Sequence, residues 1–514
     1  MKHNQPRVIH FYPFLFGIYP ALALLAYNIE QVNPSDALRA VLFSFLLSGL
    51  LFCGLIFILK NQEKAALITM VFILLFFTYG HVEQLLVMLF PRFPSRYFPT
   101  TIFIFYLAVF LIGLWWILRI AQANRIRFQL FSLVSLVLIA FPLIQISWFY
   151  LRVGYYNFTV HDSIASVSAT TLETTTPDIY WIILDGYTRE DVLKNSFQFD
   201  NSGFTSELKS LGFTIPNCAQ SNYAWTALSL STTLHMNYLD TFTNFLQRGD
   251  QKRNYVSYHY LLENNPVRSL LKDHQYRMIA FQTEYFWANI QDAEPYIQLR
   301  QPVGFVYQQG YHVNQFEGLF LQTTLLKYFA GQGFYEMDGF VSNPDTNSSN
   351  YHYNLVKFKL DQLSKVPDLP GSKFVMFHVV APHAPFVFSA NGDYQPTDSA
   401  LEGYPQEVSY LNQRILEIVK TILKKSTTSP VIIIQGDHGW DMETRMDILN
   451  AYYLPGGGNA KIYNGITPVN TFRVVLNQYF GMNYPILADI SRFSTEQAVY
   501  DFNIVPNTCL DQTH

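Results

Sequence analysis

The stretch "SPVIIIQGDHGW" (429–440) sets Asp437 and His438 directly after Val431–Ile434, an apolar β-branched run suited to a buried strand. A carboxylate and an imidazole then fall at the strand's C-terminal mouth, where open α/β sheets bind ligands, and together they can clamp a divalent cation. Read alone, the triplet is equally a polar loop. A second strand-like run, Ile179–Leu184 in "DIYWIILDGY", ends the same way, on Asp185 and Gly186. Between them "SNYAWTALSLSTTL" (221–234) carries hydroxyls at Thr226, Ser229, Ser231, Thr232 and Thr233. Ala227–Leu234 is spaced as a helix with Thr226 in its first turn. The helix dipole and free N–H groups there suit a phosphate or sulfate. Threonine is a poor nucleophile at neutral pH unless a cation lowers its pKa, and ordinary N-capping is the simpler role for it.

In "HVVAPHAPF", His378 sits at the end of a strand and His383 in the following turn, which Pro382 and Pro385 stiffen. His378 faces either the core or the site. Arg445 follows the Asp-His-Gly loop, where it either clamps a phosphoryl oxygen or lies on the surface.

These residues need a scaffold that brings them together. Further strands are expected at 276–283 and 373–383. The segment 407–425 repeats Val408, Leu411, Ile415, Ile418, Val419 and Ile422 at helical spacing. Strands alternating with helices predict an α/β domain built on a doubly wound, mostly parallel sheet.

Ahead of this domain lie five apolar runs: Val8–Ile29, Ala40–Leu59, Ala65–Phe90, Tyr97–Leu118 and Phe128–Leu151. Each is near the ~20 residues that a spanning helix needs, and Glu83 is the one formal charge inside them. The chain is 50% hydrophobic and only 14% charged, below the roughly 25% of soluble domains, as a lipid-embedded portion requires. The first run lacks a signal-peptide cleavage pattern and is expected to stay as an anchor. Lys2, Arg7, Lys60, Lys64, Arg119, Arg125 and Arg127 flank one end of the runs, against Arg39, Arg92, Arg96 and Arg152 at the other. That bias places the N-terminus in the cytoplasm and exports everything after Leu151. His81 and Glu83 in the third run are costly in lipid, so they either line a headgroup groove or pack as a helix pair. The expected organisation is a membrane domain over 1–151, a Ser/Thr-rich linker over 152–176 and an extracytoplasmic domain over 177–514.

Taken together, "LDG", a Thr opening a mid-domain helix, and "DHG" after a late strand resemble the alkaline phosphatase superfamily in its sulfatase-like branch. Five spans before an exported domain resemble its lipoteichoic acid synthase and phosphoethanolamine transferase members, and "TALSLS" is similar to the segment after the latter's nucleophilic threonine. The resemblance covers about Pro177–Leu476. It implies one divalent metal (Mn, Zn or Mg) held by Asp185, Thr226, Asp437 and His438, with Thr226 also the attacking group. It further implies that His383 contacts the oxyanion or protonates the leaving group, with His378 and Arg445 as substrate-binding candidates. A second metal is not expected, because no histidine occurs between Gly439 and Thr513. The Cys/Ser-x-Pro-x-Arg signature of formylglycine sulfatases is absent around Thr226.

The expected function is metal-dependent transfer or hydrolysis of a phosphoryl-type group on a membrane lipid or envelope glycan, by a multi-pass protein of the cell (inner or cytoplasmic) membrane. The alternatives are a sulfatase or phosphatase that releases inorganic anion, and a catalytically silent binding protein. The net charge of −4, with no basic-aromatic block, gives nucleic-acid binding no support. Of three cysteines, only Cys218 and Cys509 could pair, and a disulfide-dense scaffold is excluded.

Overall fold

The computed structural model describes residues 11–29, 32, 34–90, 98–119, 125–164, 177–239, 255–299, 315–330 and 347–511. The chain forms two compact units, one of Met1–Gly154 with Gln301–Ser342 and one of Tyr155–Arg300 with Asn343–His514. The division between the units falls at Gly154 and Tyr155, in the stretch after Leu151 where the sequence ends its apolar runs. Residues 315–330, inside the span expected as one domain over 177–514, fall in the first unit.

The chain opens with α1 (Tyr12–Tyr27), α2 (Pro34–Leu59), α3 (Gln62–Leu89), α4 (Phe98–Arg119) and α5 (Arg125–Ile164), which lie in the first unit as far as Gly154 of α5. Among the described residues four stretches are long and apolar enough to cross a membrane: α2, α3, α4 and Gln129–Leu151 of α5. At 16 residues α1 is shorter, and Val8–His10 of the expected first run lie outside the described residues. Lys64 at the start of α3 donates to Leu118 O at the end of α4 (2.7 Å), so these two flanking positions share one end of the bundle. Lys2, Arg7, Arg92 and Arg96 lie outside the described residues. The helix α5 continues through Ile164, so the first part of the expected linker is helical. Once nucleated, a helix extends at little cost through a stretch without proline. Residues 165–176 are outside the described set.

The second unit runs β1 (Ile179–Leu184), α6 (Glu190–Phe197), α7 (Ser202–Ser210), α8 (Thr226–His235), α9 (Tyr255–Glu263), α10 (Pro266–Asp273), β2 (Arg277–Phe281) and β3 (Tyr296–Ile297). After α11 (Gln315–Thr323) and α12 (Leu326–Ala330), which belong to the first unit, it resumes with α13 (Asn347–Leu363), β4 (Lys373–Val379), β5 (Phe386–Phe388), β6 (Tyr394–Thr397) and α14 (Ala400–Lys425). It closes with β7 (Val431–Gly436), β8 (Asn450–Tyr453), α15 (Pro468–Tyr479), β9 (Ser491–Thr495) and β10 (Ala498–Val505).

The main sheet has the order β3-β2-β4-β1-β7-β8. All neighbours are parallel except the edge strand β8, which runs antiparallel to β7. Every residue of β1, β4 and β7 is buried, which is why these strands read as unbroken apolar runs rather than as an alternation. Tyr180, Ile182 and Leu184 join a core with Ile415, Ile418 and Ile422 of α14, whereas Trp181 meets Phe472 of α15 edge-on at 5.5 Å. Helices thus cover both faces, as the doubly wound reading requires.

One buried charge in this frame bears on stability. Glu407 of α14, fully buried, accepts from the backbone N–H of Val387 in β5 (2.7 Å). Burial pushes its carboxyl up to about 7 despite that bond and the nearby His352. A disulfide joins Cys218 to Cys509 and so ties the loop ahead of α8 to the C-terminal segment.

Candidate metal centre

Strand register places the donors. Leu184 of β1 lies opposite Gly436 of β7 and Val379 of β4, and Ile183 lies opposite His378. Asp185 and Asp437 therefore leave adjacent parallel strands at the same level, with His378 one step below on the other side. All three belong to the C-terminal edge of the sheet. Gly186 follows Asp185 with φ +73, a left-handed conformation that favours glycine, and it lies between the rings of His383 and His438. Its N–H donates to Asp437 Oδ1 (2.9 Å), which locks the two strand ends together.

The side chains converge. His378 Nε2 is 3.1 Å from Asp185 Oδ2, and His438 Nε2 is 3.4 Å from Asp185 Oδ1 and 3.5 Å from Asp437 Oδ2. Donor atoms of Asp185, His383 and His438 lie within 4.8 Å of one another, as do those of Asp185, His378 and Asp437, so two donor sets share Asp185. Asp185 and Asp437 are wholly buried, yet Asp185 Oδ1 and Asp437 Oδ2 have no hydrogen-bond partner. Two orphaned carboxylate oxygens facing imidazole nitrogens in a dry pocket are an expensive arrangement that a cation relieves. The donor set of hard oxygens with imidazole fits a divalent cation.

Electrostatics agree with that fit. Burial alone would raise the Asp185 carboxyl, but His383, His378 and His438 together hold it well below the usual carboxylate range. Burial lowers His438 to about 4, against the pull of Asp437 and Asp185. Its Nδ1 lies 2.9 Å from Gly439 O, an acceptor, so the proton sits there and the lone pair is on Nε2, where it accepts from Arg445 in this structure.

Thr226 is the first residue of α8, as the sequence predicts, but it is not the cap. That position belongs to Trp225, whose side chain makes no capping bond. Arg445, itself largely buried, bridges the two halves of the site. Its Nε donates to Ala224 O (2.8 Å), its Nη2 to His438 Nε2 (2.9 Å), and its guanidinium lies 5.1 Å from the Trp225 ring centroid. One cation thus fixes the turn leading into Thr226 against the Asp-His-Gly loop. Among the described residues the Thr226 hydroxyl makes no hydrogen bond to the carboxylates, so this structure brings together Asp185, Asp437 and His438 and leaves Thr226 joined to them through Arg445. Ser494 of β9 supports the same turn, its O accepting from Trp225 Nε1 at 3.1 Å.

His383 is half-buried, with Nδ1 2.8 Å from Ala384 O, which leaves Nε2 on the cluster side of the ring. His378 differs from the substrate-contacting position expected of it. It is 2% exposed and held by Asp185 on one side and the Tyr285 ring on the other (centroids 5.8 Å), so it joins the buried donors.

Sequence reading missed two residues. Burial, together with the charges of Asp185, Asp437 and Glu284, holds the Tyr285 phenol well above its usual range. Lys359 of α13 is fully buried, donates to the His378 carbonyl, and is lowered to about 8 by burial, with Glu284 and Asp185 opposing the shift. Lys359 had a signal, since it falls four residues after Leu355 on the apolar face of α13. Tyr285 lies in a loop after β2 and had none.

No family model matches the sequence, and no curated protein is similar to it at the level of sequence. Solved structures with a similar arrangement include the integral membrane lipooligosaccharide phosphoethanolamine transferase A of Neisseria meningitidis, at 12% identity and TM-score 0.37 over 91% of this chain and 94% of that one. The C-terminal periplasmic domain of EptC from Escherichia coli matches at 10% identity and TM-score 0.38, over 65% and 93%. A protein in the alkaline phosphatase superfamily from Vibrio parahaemolyticus matches at 10% identity and TM-score 0.37, over 64% and 76%.

Proposed function

We propose that the chain is a membrane-anchored, metal-dependent enzyme of the sulfatase-like alkaline phosphatase type. It would transfer or hydrolyse a phosphoryl-type group on a lipid or glycan of the cell envelope, with its second unit outside the cytoplasm. The observation that carries this reading is the meeting of Asp185, Asp437 and His438 at one sheet edge, with two buried carboxylate oxygens unpartnered.

Asp185, Asp437, His438 and Thr226 would hold one divalent cation, with His378 and His383 beside the carboxylates. When bound, the cation supplies Lewis-acid chemistry, neutralising phosphoryl oxygen charge and lowering a hydroxyl pKa. The Thr226 oxygen, its proton released to solvent as its pKa is lowered, would form a bond to phosphorus as the bond to the leaving alcohol breaks. The Thr226 position at the start of α8 sets the phosphoryl oxygens against free N–H groups. Protonated on both ring nitrogens at the outset, His383 would give the departing oxygen the Nε2 proton and in the second half recover one from the water or acceptor hydroxyl that displaces Thr226. Arg445 keeps the Thr226 turn in register with His438.

Thr226→Ala should abolish turnover of phosphodiester or phospholipid substrates while the circular dichroism spectrum stays unchanged. Undiminished turnover would remove Thr226 from the mechanism. Parallel assays on chromogenic phosphomonoester, phosphodiester and sulfate esters with added Mn²⁺, Zn²⁺ or Mg²⁺ separate transfer from simple release of inorganic anion.

A further inference from the structure

The segment "QFEGLFLQTTLLKYFA" (315–330) lies between two stretches of the second unit, Tyr155–Arg300 and Asn343–His514, yet it packs within the first. We infer that it is a second, non-spanning membrane anchor: a re-entrant helical hairpin that enters the bilayer from the side of the exported unit and leaves by the same side.

Its length excludes a crossing. The nine residues of α11 reach only about 14 Å, less than half of a hydrocarbon core of about 30 Å. The hairpin reaches deep into the bundle nonetheless. Leu325 N donates to the carbonyl of Phe76 (2.7 Å), a residue midway along α3. The approach is possible because Gly80 has no side chain: a Cβ there would stand 1.9 Å from Gln322 O. Phe320 packs on Phe77 (5.4 Å), and Tyr328 stacks on Phe103 of α4 (4.4 Å, 5°).

Irregular backbone inside a bilayer survives only where its polar groups are satisfied by protein. The break between α11 and α12 meets that requirement residue by residue. Thr324 N donates to Leu321 O, Leu325 N to Phe76 O, Leu326 N to Thr324 Oγ1, Lys327 N to Thr324 O and Tyr328 N to Leu325 O.

Two ion pairs hold the hairpin, both at the end of the bundle formed by the start of α2 and the end of α3. Arg39 grips Glu317 through Nε (2.6 Å) and Nη2 (2.7 Å). Lys327 Nζ lies 3.2 Å from Glu83 Oε2, with both side chains largely buried. Glu83, costly in a spanning helix, thus has its partner in a different part of the chain, and neither a headgroup groove nor a pairing with the exposed His81 is needed to account for it. Phe329 and Leu319 remain 66% and 43% exposed, which presents apolar surface to surrounding lipid.

The test cuts the other tether. A specific protease site placed within 165–176 of the full chain severs α5 from β1 in membrane vesicles. We expect the fragment containing 177–514 to stay with the membrane pellet through a high-salt wash. It should move to the supernatant when 315–330 is replaced by a Gly/Ser segment of equal length, and several-fold more of it should be released in Lys327→Glu than in the parent chain. The double variant Glu83→Lys with Lys327→Glu should restore retention. Formation of the Cys218–Cys509 disulfide on a non-reducing gel verifies that the exported unit of each variant has folded. Release of the cleaved parent fragment, or retention of the Gly/Ser variant, overturns the inference. Because partition is measured rather than turnover, the result is independent of the proposed chemistry.

Discussion

At the scale of the residue, the informative groups are the ones left without a protein partner. Asp185 Oδ1 and Asp437 Oδ2 are sealed from water with nothing donating to them, while each carboxylate's other oxygen is engaged. Asp185 is the residue both donor sets share, so Asp185→Asn should weaken divalent metal binding by more than the roughly 10- to 100-fold that loss of an outer partner costs. Equilibrium dialysis with elemental analysis of the purified protein measures this, and unchanged metal content would count against the site. Arg445 is a different kind of group, a bridge between Ala224 O and His438 Nε2. Arg445→Lys keeps the charge but loses the planar fork, so turnover should fall on the order of tenfold or more with metal content kept.

At the scale of the element, Glu407 shows how one side chain couples α14 to β5. Its folded pKa of about 7 stands above the ordinary value of 4.5. The folded state therefore binds the proton more tightly, and the associated stability is complete below pH 4.5 and lost as pH rises through 7. Glu407→Gln keeps the acceptor for Val387 N–H and removes the charge. It should raise stability at pH 8 by about 1–3 kcal/mol and change little at pH 4, as denaturant unfolding at the two pH values would register. Elements with purely local signals were legible in the sequence. Strand β1 occupies Ile179–Leu184 as expected and α8 begins at Thr226, because apolar runs, turn residues and helix starts are written within a few neighbours. The segment expected to be helical from 407 begins earlier, at Ala400, since its first turns lack the apolar repeat. Pairings between strands were not legible. That His378 faces Asp185 follows from the register of β4 against β1, and that Glu83 meets Lys327 follows from a packing decision between remote segments.

At the scale of the whole molecule, the second unit is closed on itself by the Cys218–Cys509 disulfide, 291 residues apart in sequence. It draws the C-terminal segment onto the loop ahead of α8, where Asn507 Nδ2 also donates to Cys218 O (2.8 Å). Cys509→Ser should lower unfolding stability by about 2–4 kcal/mol under oxidising conditions, with little change once the parent protein is reduced. The excursion of residues 315–330 carries a consequence for biosynthesis. The helical bundle of the first unit lacks its final piece until the ribosome has added the chain between Ile164 and Gln315. At about 5–20 residues per second that is a delay on the order of ten to thirty seconds. During that interval Gly80 and Glu83 stand without the chain that covers them, so a nascent polypeptide truncated before 315 should be more readily captured by membrane quality-control proteases than one truncated after 330.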